Sequence, residues 1–177
     1  VRHCLIKVKP SNEAKDSSFS FLKNLKMKIE HGVLFSDLAK EHSEDPGSKN
    51  NGGELGWVKR GSLVKSFETA AFTSPINQIT DPVESEFGFH LIETLKKKGD
   101  KILVRHILNI PKKTEEDNVL FFDFATTLKN DSIKTFKDFV FYTKKYSDDE
   151  NTKKVGGNLG WIDPNNYSIP EIGLAIK

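Results

Sequence analysis

The sequence predicts an α+β fold with an antiparallel sheet, laid down twice in tandem. Three observations carry this expectation. The segment from Val1 to Leu95 reads strand, helices, strand, helix, strand, strand, an order in which sequential strands pair through turns and helices pack on the sheet. Val1-Arg2-His3-Cys4-Leu5-Ile6 recurs as Val104-Arg105-His106-Ile107-Leu108, and Gly52-Gly53-Glu54-Leu55-Gly56-Trp57 recurs as Gly156-Gly157-Asn158-Leu159-Gly160-Trp161. Ser43-Glu44-Asp45 likewise recurs as Ser147-Asp148-Asp149, each serine at the same distance ahead of its Gly-Gly pair. The shared offset, about a hundred residues, is a domain length rather than a solenoid length, so the copies are tandem domains, 1–97 and 98–177.

Each element has a local reason. Arg2 to Lys9 alternates, with Cys4, Ile6 and Val8 on one face and His3, Leu5 and Lys7 on the other, as a strand does. Pro10-Ser11-Asn12 breaks that strand and caps a helix through Phe19, Leu22, Leu25, Met27 and Ile29, which His31-Gly32 ends. Phe35, Leu38, Ala39 and His42 follow the i, i+3, i+4, i+7 spacing of a second amphipathic helix. Asp45 to Gly53 is a loop rich in turn formers, and Leu55 and Trp57 lead back into structure. Phe67, Ala70 and Ala71 mark a short helix that ends before Pro75. Val83 to Glu86 and Phe87 to Leu95 read as two strands, with Gly88, His90 and Ile92 on one face of the second. Lys96 to Lys101 reads as a charged link between the copies.

Composition narrows the function. The 177 residues, 36% hydrophobic and 29% charged with 13 Phe, have the balance of a globular chain. No apolar run approaches the roughly 18–20 residues of a membrane-spanning helix. With 27 Lys+Arg against 25 Asp+Glu neither copy has a basic face, which argues against nucleic acid as a partner. The one cysteine, Cys4, forms no internal disulfide and is read as a small apolar group. The five histidines lack the spacing of a metal site, so no metal or other cofactor is expected. The chain opens on strand-like sequence without an initiator Met or signal peptide, and is read as a piece of a longer protein.

The ordered motifs Arg2 to Lys7, Phe35 to Ala39, His42 to Ser48, Gly52 to Trp57, Gly61 to Val64, Phe67-Glu68 and Phe87 to Ile92 resemble those of parvulin-type peptidyl-prolyl cis/trans isomerases along the whole first copy. The tandem arrangement resembles the extracytoplasmic chaperone-isomerases of the SurA kind. The resemblance implies a parvulin-like (FKBP-like) α+β fold, a four-stranded antiparallel sheet wrapped by helices. It implies catalytic residues His3, Asp45, Ser85 and His90, substrate-binding residues Leu55, Leu63, Phe67 and Phe87, and no cofactor. Where the phosphate-reading branch of the family has an Arg-rich loop, this chain has Lys9-Pro10-Ser11-Asn12-Glu13, so no phosphopeptide preference is expected.

Those residue types suit the task. Rotating an X-Pro amide crosses a barrier of about 18–20 kcal/mol that comes from C–N double-bond character, and no bond is broken. Apolar side chains hold the pyrrolidine ring, and polar groups aimed in advance favour the twisted amide. The two histidines read equally well as residues that fix the sheet geometry. Phe67 and Phe87 alone would read as core, and the two tryptophans as packing at a loop exit.

The second copy retains His106, Asp149, Leu159 and Trp161, but places Ser168 opposite Leu63 and Ile172 opposite Phe67 and stops before its last two strands. It is expected to be degenerate and C-terminally truncated. The leading expectation is therefore a prolyl isomerase acting on unfolded or exported polypeptide clients, in the periplasm or another extracytoplasmic space. The alternative is a chaperone-like peptide-binding module with little or no isomerase activity.

Overall fold

The computed structural model describes residues 1–163; the expectations for Ser168 and Ile172 lie outside the described residues. The chain divides into two compact units, Pro10–Lys113 and a second made of Val1–Lys9 with the segment from Thr114 onward.

Pro10–Lys113 begins with helix α1, Asn12–Glu30, whose first turn is capped by the Ser11 hydroxyl accepting from the Ala14 N–H at 3.2 Å. Helix α2 is Phe35–His42 and α3 is Lys65–Thr73. The strands are β1 Glu54–Lys59, β2 Val83–Ser85, β3 Gly88–Lys98 and β4 Lys101–Asn109. They form one antiparallel sheet in the order β1-β4-β3-β2. Strand alternation sends Leu91 and Ile107 to one face, where they meet Leu22 and Leu25 of α1 and Phe35, Leu38 and Ala39 of α2. Ile92 and Val104, with Ile102, go to the other face and meet Phe67 and Ala71 of α3. The helices thus cover both faces of the two central strands. Each such aliphatic or aromatic side chain contributes about 1.5–3 kcal/mol by leaving water.

Two features depart from the sequence reading. Lys96 to Lys101 is not a link: β3 runs to Lys98, Gly99-Asp100 turns with Gly99 at φ +58°, and β4 starts at Lys101. The lysines are solvated residues beside the turn of a hairpin, a pattern that composition does not separate from a linker. The central strand beside β3 is also not Val1–Lys9. The second copy's opening strand, β4, occupies that place, and the compact units meet at Lys9/Pro10 and Lys113/Thr114. A two-residue turn closes the β3–β4 pair over a minimal loop, and both opening strands share the Val-Arg-His-x-Leu pattern that the site requires.

In the other unit, α4 spans Glu115–Thr127, α5 Phe136–Tyr146 and α6 Glu150–Lys153. The first two start with capping boxes, Thr114 with Asp117 and Thr135 with Asp138. Val1–Lys9 lies extended in this unit and keeps its alternation, Cys4, Ile6 and Val8 half-buried and Leu5, Lys7 and Lys9 exposed. Among the described residues it makes a ladder bridge through Arg2 with Asn158.

Candidate active site

The sheet of Pro10–Lys113 brings two imidazoles edge to edge. His90 on β3 and His106 on β4 have ring centroids 5.4 Å apart and planes within 16° of each other, with their Nδ1 atoms 3.2 Å apart. His90 Nε2 lies 2.6 Å from the Ser85 hydroxyl on β2, and the Phe87 N–H donates to that hydroxyl at 3.1 Å. His106 Nε2 lies 2.9 Å from Asp45 Oδ2 and 3.1 Å from the Ser48 hydroxyl, which itself donates to Asp45. Phe67 of α3 sets its ring edge-on to both imidazoles, at 5.1 and 5.4 Å.

Proton counting fixes a direction along this chain. Hydrogen bonds from Ser48, His106 and Gly47 outweigh desolvation and hold the Asp45 carboxyl below its ordinary value, so Asp45 is ionised and can only accept. His106 therefore carries its proton on Nε2, and its bare Nδ1 accepts from His90 Nδ1–H. His90 Nε2 is then bare and accepts from Ser85. Both rings must be neutral for this to hold. Burial, reinforced by the facing His106, pushes His90 down to about 4. Burial also lowers His106, against the opposing pull of Asp45.

A cavity of about 610 Å³ opens over this polar row, lined among others by Asp45, Leu55, Leu63, Phe67, Phe87, His90 and His106. Phe67 is 3% exposed and forms the floor, Leu55 and Leu63 are half-buried walls, and Phe87 stands at the rim, 57% exposed. Of the residues expected at the site, Ser85 and His90 meet directly and Asp45 joins them through His106, while Leu55, Leu63, Phe67 and Phe87 line one cavity with Asp45 and His90. His3 does not join them. Its Nε2 lies 2.7 Å from Asp149 Oδ2 and 3.1 Å from the Thr152 hydroxyl, in the other unit. The position expected for His3 is filled by His106. Ser48 also joins this row, and its sequence signal is the Asp45-x-x-Ser48 spacing of a turn whose side chains face each other.

Comparison with known proteins identifies the family. A family profile described as the PPIC-type PPIase domain matches residues 1–98, and a second profile of the same description matches residues 106–172. The chain is 39% identical over 112 residues to "Foldase protein PrsA 4" of Bacillus cereus, covering 63% of this chain and 40% of that protein. It is 45% identical over 98 residues to "Chaperone SurA" of Methylococcus capsulatus, covering 55% of this chain and 21% of that one. It thus spans from about a fifth to two-fifths of the length of these relatives. A crystal structure of a peptidylprolyl isomerase, PrsA, from Bacillus anthracis aligns over 89% of this chain and 59% of its own, with 26% identity and a TM-score of 0.40. The first profile alone covers more than half of the sequence, and its span contains Asp45, Phe67 and His90 of the cavity lining and Ser85, which meets His90. The chain belongs to the family of PPIC-type PPIase domains.

Proposed function

We propose that Pro10–Lys113 is a peptidyl-prolyl cis/trans isomerase unit that acts on X-Pro bonds of unfolded or exported polypeptides. The observation that carries the proposal is the hydrogen-bonded His90–His106 pair, held between Ser85 and Asp45 beneath an apolar cavity. Phe67, Leu63 and Phe87 grip the pyrrolidine ring by apolar burial, at about 25 cal/mol per Å². In the twisted amide the nitrogen recovers its lone pair and the C–N double-bond character is lost. A row of dipoles already fixed in place favours that state over the planar one without reorganising. The catalytic set assigned here is His106, Asp45, Ser85 and His90, with His106 in the place expected for His3.

The charged residues lining the cavity are acidic, Glu44 and Asp45, which disfavours a phosphate before the proline. Action on exported clients, in the periplasm or another extracytoplasmic space, rests on the likeness to proteins named foldases and chaperones.

The test is an exchange-NMR or protease-coupled isomerisation assay of the whole chain on short X-Pro peptides, with no metal or nucleotide added. Acceleration that falls at least about tenfold in His90→Ala, within the range that acid–base and dipolar groups contribute, is the expected result. A folded protein without activity that still binds the peptides would favour the peptide-binding module instead.

A further inference from the structure

The two units hold their extended strands by the same contacts. In Pro10–Lys113, His106 N–H donates to Gly53 O at 2.8 Å, Glu44 N–H donates to Leu108 O at 2.8 Å, and Leu108 N–H donates to the Ser43 hydroxyl at 3.2 Å. In the other unit, His3 N–H donates to Gly157 O at 2.9 Å, Asp148 N–H donates to Leu5 O at 2.6 Å, and Leu5 N–H donates to the Ser147 hydroxyl at 3.2 Å. The side chains repeat the match. His106 meets Asp45 and Ser48 as His3 meets Asp149 and Thr152. Arg105 lies over the Phe35 ring at 4.6 Å, and Arg2 over the Phe136 ring at 5.1 Å. Gly53 and Gly157 serve alike as the floor under the histidine carbonyl, where a Cβ would stand 2.2 and 1.8 Å from that oxygen.

We propose that each of these cradles is a binding site for an extended Val-Arg-His-x-Leu strand and accepts either of the two such strands in the chain. Pro10–Lys113 then exists in two forms, one closed by Lys101–Asn109 and one closed by Val1–Lys9. Every hydrogen bond named above uses the backbone or a side chain common to both strands, so neither cradle distinguishes them by polar contact. The family profile independently joins residues 1–98 into one domain, the arrangement of the second form. Two differences rank the forms. Cys4 would stand where Ile107 is fully buried, leaving apolar space unfilled, and the Gly99-Asp100 turn holds β4 next to β3. The form closed by Lys101–Asn109 is therefore the more populated. Catalytic activity plays no part in this proposal, and the test does not require it.

Disulfide capture reads the two forms. Thr94 pairs with Val104 across β3 and β4. His106 and Leu108 turn their N–H groups away from β3, which makes 94/104 a non-hydrogen-bonded pair with the short Cα separation that a disulfide fits. By the repeat, Val1 would face Thr94 in the other form. The chain carrying Cys4→Ala, Val1→Cys, Thr94→Cys and Val104→Cys is equilibrated in a glutathione redox buffer, quenched and mapped by mass spectrometry. Both intramolecular links are expected, 94–104 in excess and 94–1 at about 1–10% of the protein, the range of a minor conformer. Finding only one link, or links only between molecules, overturns the proposal. Nitrogen-15 spectra of the histidine rings in the unsubstituted chain provide a second reading that no substitution can unfold. Two slowly exchanging sets of His90 signals, one lost in His3→Gln and the other in His106→Gln, are expected; a single set overturns it.

Discussion

Phe67 serves two purposes at once. It is 3% exposed and packs with Ala71, Ile92 and Val104, yet it also presents its ring edge to both imidazoles and lines the cavity. Phe67→Ala is therefore expected to destabilise the unit by about 3–5 kcal/mol, the cost of opening a cavity at a buried aromatic, as well as to weaken substrate binding. Leu63 is half-buried on the wall, so Leu63→Ala should raise KM while losing less than about 1.5 kcal/mol of stability, roughly the loss of a partly buried side chain. Denaturant midpoints alongside peptide kinetics separate the two; equal stability losses would show that Leu63 is core. At this scale much was legible. Asp45, Ser85, His90 and the four apolar residues follow from motif positions in the sequence. His106 did not, because its surroundings in sequence are those of His3, and nothing local tells which of two like strands enters a given sheet.

The hairpin of β3 and β4 explains why the elements were easier to read than their pairing. Helices α1, α2 and α3 follow from apolar spacing and end near their expected residues, because those signals are local. Pairing is a long-range choice, settled here by a two-residue turn hidden in a run of lysines. The Gly-Gly turns ahead of β1 and at Gly156-Gly157 have a further reason beyond backbone conformation. Gly53 and Gly56 both have left-handed φ, +82° and +73°, but only at Gly53 would a Cβ collide with a backbone atom, the carbonyl of His106. Gly56→Ala should cost about 1–2 kcal/mol, the strain of that conformation alone. Gly53→Ala should cost more than twice as much and displace β4, visible as loss of hydrogen-exchange protection at His106. Similar losses for both would mean that the strand lies further from the turn than described.

For the whole chain, the buried imidazoles tie stability to pH. His90 titrates near 4 in the folded unit against 6.5 as the ordinary value, and His106 is shifted in the same direction. Between those values the unfolded chain binds protons that the folded unit refuses, so stability falls as pH drops from about 6.5 towards 4 and is fully present above that window. For His90 alone the loss is on the order of 3 kcal/mol. Thermal melts of the whole chain at pH 7.5 and pH 4.5, with His90→Gln as reference, should show a fall in Tm that the substitution reduces. An unchanged Tm in the parent would show that the rings take up protons alike in the folded and unfolded chain, and that burial does not hold them neutral.

The line from Ser85 to Asp45 has a polarity. Each group donates towards the carboxylate, so one acceptor-only residue orients two aromatic rings and a hydroxyl that it does not all touch. Replacing that end with a carboxamide, which donates as readily as it accepts, would remove the fixed pole. Both imidazoles would then be free to reverse their tautomers together, and a client amide would meet a row of dipoles with no set heading.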